Sequence, residues 1–112
     1  MPRYILIDNH SGFIFGDTAD MAPGVIGSSD VSPTLAARWL DENLVGQFGR
    51  EYELIGRNPN DTSTGYHVYR ADIDGSEAVP VVHNGQDRET IAAVERSCRY
   101  EGFVRCHSPT DD

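Results

Sequence analysis

The sequence predicts an α+β fold, with a mostly antiparallel sheet of about five to six short strands and two amphipathic helices packed on one face. Three observations point there. The chain has 112 residues, the usual size for one core. Its β-rich runs come in groups instead of alternating regularly with helices, which argues against a parallel α/β sheet. Two segments carry apolar residues at helical spacing. The expected order is ββ-α-βββ-α-β, with one domain over 1–108 and a frayed C-terminal tail over 109–112.

The first two runs are Tyr4 to Ile7 and Phe13 to Phe15. Between them, Asp8-Asn9-His10-Ser11-Gly12 is made almost entirely of turn formers, so the pair reads as a hairpin. Residues 17–31 are rich in Gly, Ser, Asp and Pro and predict a long loop. Ser32-Pro33 opens a helix, with Ser as N-cap and Pro in the first turn. Leu35, Trp39, Leu40, Leu44 and Phe48 mark its expected buried face, leaving Arg38, Asp41 and Glu42 solvated. Gly46 or Gly49 can end it in the left-handed conformation.

Three strands are expected next, at Tyr52 to Ile55, Tyr66 to Ala71 and Val79 to His83. Residues 58–65 form the first connecting loop, and Asp74-Gly75 signals a tight turn in the second. Asp87 is the expected cap of a second helix running to about Arg99, with Ile91, Val94 and Cys98 inward and Glu95 four residues before Arg99. Gly102 is expected to break the chain before a last strand, Phe103 to Cys106.

Eighteen acidic residues against nine basic ones give a formal charge of −9. All the basic residues are Arg, a mark of a GC-rich bacterial coding background. Such a chain is repelled by phosphate backbones and anionic lipids, so neither nucleic acid nor membrane is expected as a direct partner. The start, Met1 to Asp8, lacks the apolar core of a signal peptide, and no run approaches a membrane span. A cytoplasmic location follows as the expectation, with Cys98 and Cys106 as reduced thiols.

Asp8 and His10 could hold a metal or act as an acid–base pair, but their place in a turn gives Asp8 a sufficient structural role. The histidines, His10, His67, His83 and His107, fall in no ligand pattern, and the cysteines lack the close spacing of a zinc pair. Cys98 reads as a small hydrophobe, and neither cysteine opens a helix where its thiolate would be favoured. No dinucleotide, Walker or nucleophile-elbow motif is present. The expectation is therefore a non-enzymatic chain with no catalytic residue, no metal and no cofactor.

The acid is concentrated in residues 51–87, where Glu51, Glu53, Asp61, Asp72, Asp74, Glu77 and Asp87 face only Arg57 and Arg70. A negative surface of this kind suits a basic protein groove. Glu51, Glu53, Asp72, Asp74, Glu77 and Asp87 are the expected partner-binding residues. Small size, acidity and the opening YILIDNHSGFIFGDT are similar to short proteins of bacterial phages and other mobile genetic elements, anti-CRISPR proteins among them. That resemblance implies an inhibitor that occupies the basic, nucleic-acid-binding surface of a protein machine, such as a CRISPR effector complex. Two alternatives share parts of this pattern: an immunity or antitoxin-like protein that neutralises a toxin, and a small metal-dependent enzyme centred on Asp8 and His10.

Overall fold

The computed structural model describes residues 3–18, 32–56, 64–71 and 88–107. Within them the chain forms β1 (Tyr4–Asp8), β2 (Ile14–Asp17), α1 (Pro33–Leu40), β3 (Glu51–Ile55), β4 (Gly65–Arg70), α2 (Arg88–Ser97) and β5 (Arg99–His107). The five strands make one sheet in the order β2-β1-β4-β5-β3, and every pairing is antiparallel. This is the α+β architecture expected from the sequence. The expected strand at Val79 to His83, the Asp74-Gly75 turn, the Asp87 cap and the 109–112 tail lie outside the described residues.

The helices do not share a face. Strand residues alternate between the two sides of a sheet, and they sort into two separate cores here. Leu6, Phe15, Tyr66, Val68, Val104 and Cys106 pack with Ala36, Ala37 and Leu40 of α1. Ile5, Ile7, Ile14 and Ala71 pack with Val94 of α2 and with Cys98 just beyond it. The sheet is thus apolar on both sides. The reason is visible in β1, where Tyr4, Ile5, Leu6 and Ile7 are all buried instead of alternating with polar residues. An unbroken apolar run of this kind marks a strand covered twice.

Helix α1 begins as its sequence dictates: Ser32 Oγ accepts from the Leu35 amide at 3.3 Å, and Pro33 occupies the first turn. The helix then widens into a π turn over Asp41–Val45, closed by Gly46 at φ 66°. This widening shifts the helical phase beyond Leu40. Leu44, within that turn, and Phe48, past the Gly46 cap, are 47% and 66% exposed against their expected burial, and Trp39, before the turn, is only partly buried against the core. The stripe that faces the sheet is Ala36, Ala37, Leu40 and Asp41, all without solvent exposure. The acid expected in water is inside.

Two further expectations change at the C-terminal end. Gly102 does not break the chain but lies within β5, where an added Cβ would meet the Ile55 carbonyl oxygen at 2.9 Å. The glycine marks the close approach of β3 to β5. Arg99 belongs to β5 and not to α2, so its guanidinium pairs with Glu101 at 2.8 Å instead of Glu95. The β2 strand starts at Ile14 and leaves Phe13 exposed.

Candidate functional site

Placing a carboxylate among alanines and leucines costs several kcal/mol unless donors surround it. Asp41 has three. Tyr66 donates its phenol to Oδ1 at 2.5 Å, Tyr52 donates to Oδ2 at 2.5 Å, and Arg50 Nη1 reaches Oδ2 at 3.4 Å. The elements that deliver these groups follow simple geometry. Tyr52 on β3 stands opposite Cys106, and Tyr66 on β4 stands opposite Val104, so all four side chains share the α1 face. Phe15 stacks on Tyr66 with ring centroids 4.5 Å apart, fixing the phenol from behind.

Burial, reinforced by the hydrogen bond to Asp41, pushes the Tyr52 and Tyr66 phenols well above their ordinary value of 10.0. Both remain donors. Burial is the largest influence on Arg50 and works against its charge, but Asp41, Tyr66 and Cys106 together outweigh it and hold the guanidinium above its usual range. Burial, with the charge of Asp41 beside it, pushes the Cys106 thiol from 9.0 to about 12. A thiol so raised is neither nucleophile nor metal ligand at neutral pH. The phenols, the guanidinium and the carboxylate are committed to one another. Chemically this is a structural lock with one outward side: Arg50 and Tyr52 also line an open groove of about 500 Å³ between α1 and β3, together with Arg38 and Glu51.

These shifts fix an alkaline limit. The unfolded chain loses the Cys106 proton near pH 9 and the folded chain near pH 12, so this contribution is complete below about 9 and is lost as pH rises toward 12. Tyr69, raised from 10.0 to about 12 by burial, acts in the same direction. Melting temperature measured against pH is expected to fall steeply from about pH 9 upward. Cys98, 8% exposed, and Cys106, 5% exposed, are both expected to resist a disulfide-exchange reagent at pH 8 until the protein is unfolded. Rapid reaction in the native state would contradict the placement of both.

The Asp8 turn is occupied. Its Oδ2 accepts from the amides of His10 and Ser11 at 3.1 and 2.8 Å and from Ser11 Oγ at 2.9 Å. His10 points elsewhere, with Nε2 3.4 Å from Thr64 Oγ1. Asn9 instead joins His67, whose Nε2 lies 2.9 Å from Asn9 Oδ1 while Nδ1 lies 3.0 Å from the Tyr100 phenol. With Nε2 donating to the amide oxygen, Nδ1 is left to accept from Tyr100. Burial lowers the His67 pKa, against the pull of Glu95 and Asp8. Among the described residues no group of three or more His, Cys, Asp or Glu converges on a metal position.

Of the expected partner-binding residues, Glu51 and Glu53 lie exposed on β3, at the edge of the sheet. They share one face with Arg105 and His107 of β5. Asp72, Asp74, Glu77 and Asp87 lie outside the described residues. The Asp41 cluster is what sequence reasoning missed. The signal for it was a single acid adjoining Leu40 in the Ala36-Ala37-Leu40 stripe, with two tyrosines available on strands. Comparison with protein-family models, curated proteins and solved structures finds no match for this chain.

Proposed function

We propose that this chain is a non-enzymatic binding protein that uses an acidic surface to occupy the basic, nucleic-acid-binding surface of a protein partner, as anti-CRISPR proteins do. One observation carries the reading: Glu51 and Glu53 stand exposed on a sheet edge in a chain of net charge −9. Carboxylates on an accessible edge raise the rate of encounter with a basic groove and set the register of the complex. Among the described residues, two carboxylates that could have served catalysis are engaged otherwise. Asp8 holds its own turn, and Asp41 is held by Tyr52, Tyr66 and Arg50. No helix among the described residues is long and apolar enough to cross a membrane.

The test couples capture to competition. The immobilised protein is exposed to a bacterial lysate, and retained proteins are challenged with duplex DNA, with RNA, and with salt. The expected result is a retained nucleic-acid-binding protein that either nucleic acid displaces. Retention should weaken steeply with salt and fall at least fivefold when Glu51→Gln and Glu53→Gln are combined. Retention that nucleic acid leaves unchanged, or that the double variant preserves at low salt, rules the reading out.

A further inference from the structure

The outer edge of β3 has a definite hydrogen-bonding pattern. The Cys106 amide donates to the Thr64 carbonyl at 3.0 Å, so the backbone groups of Cys106 face β4. In an antiparallel ladder the N–H and C=O of one residue point to the same side and successive residues alternate. Tyr52, opposite Cys106, therefore forms no ladder bond with it, whereas Glu51, Glu53 and Ile55 bond to His107, Arg105 and Phe103. The N–H and C=O of Tyr52 and Leu54 are left facing outward, and among the described residues β3 has no neighbour on that side.

The side chains along this edge sort by face. Tyr52 and Leu54 lie on the α1 face, with Leu54 45% exposed, while Glu51 and Glu53 lie exposed on the opposite face. We propose that β3 is a docking edge for an extended partner segment that alternates basic and apolar residues, added to the sheet as a sixth strand. This rests on the acidic-surface reading and names its partner chemistry. Guest residues opposite Tyr52 and Leu54 exchange backbone hydrogen bonds and set apolar side chains beside Leu54. Guest residues opposite Glu51 and Glu53 place Arg or Lys about 5 Å away, Cβ to Cβ. A second copy of this chain fits poorly, because antiparallel pairing centred on Glu53 sets like charges against each other in two molecules of charge −9.

The probe is a short blocked peptide alternating arginine and valine, titrated calorimetrically at low ionic strength, with a copy N-methylated at the residues that would bond to β3. Wild type should bind the plain peptide at least tenfold more tightly than the methylated one. Leu54→Pro removes an outward N–H and leaves the β3–β5 ladder intact, so it should also cost at least tenfold. If that variant fails to fold, the methylated peptide remains a sufficient test. Glu51→Gln with Glu53→Gln should weaken binding to a similar extent. Equal affinity for both peptides overturns strand addition but leaves the acidic-surface reading standing. Binding that survives the double Gln variant but not N-methylation overturns the basic partner and that reading with it. Absence of binding, or a dimer that forms through β3, overturns the proposal outright.

Discussion

Asp41→Ala is expected to destabilise the protein by about 3 to 5 kcal/mol, because it strips a fully buried acceptor from Tyr52, Tyr66 and Arg50 at once. Buried Tyr66 has no water to turn to, so its phenol bears the largest share. A domain of this size has roughly 5 to 15 kcal/mol in total, which places the variant at the margin of folding. Urea denaturation should show the midpoint falling with the slope unchanged. Tyr66→Phe separates the contributions: it removes one donor and keeps the ring on Phe15, so it should cost about 1 to 3 kcal/mol. A shift below about 1 kcal/mol for Asp41→Ala would mean that the carboxylate is hydrated and the stripe on α1 wrongly placed.

Arg3→Met comes second, at about 3 kcal/mol. Arg3 grips Asp17 with Nε 3.1 Å from Oδ1 and Nη2 2.6 Å from Oδ2, and the Asp17 side chain is without solvent exposure. Methionine keeps much of the stem volume while taking away the cation that balances a buried charge. Combining it with Asp17→Leu should recover a large part of the loss, since the cost lies in the stranded charge more than in the missing pair. Equal instability of the single and double variants would instead assign the loss to packing. Because Asp17 faces the α2 core and Asp41 the α1 core, the Arg3 and Asp41 effects should add within about 0.5 kcal/mol.

What could be read from the sequence was local. Ser32-Pro33 announced the start of α1 because a cap and a proline act within one turn. The Asp8 turn was equally legible, since its acceptor and its donors are near neighbours in the chain. What escaped depended on distant partners. Asp41 looks like a solvated acid until Tyr66, a whole loop and strand away, is brought against it. Leu44 and Phe48 fit a regular helical repeat, and nothing near them in the chain reveals that the α-helix gives way to a π turn at Asp41 and stops at Gly46. Gly102 looks like a breaker until β3 lies beside it. The placement of both helices on one face failed for a related reason. The unbroken apolar run of β1 is covered on both sides, one by α1 and the other by α2, and the run alone does not say which helix lies where.

The strand order also sets a timetable for synthesis. β5 joins β3 to β4, and it leaves the ribosome after every other described strand. Until it emerges, the β1–β2 hairpin and the β1–β4 pair are the only pairings open to the described strands, and β3 has no strand beside it. Helix α1 meanwhile has Asp41 on its inner stripe without Tyr52 held in place beside it. A nascent chain that stalls before Arg99 therefore lacks the strand that ties β3 to β4, and the Tyr52 side of the Asp41 cluster waits on that strand.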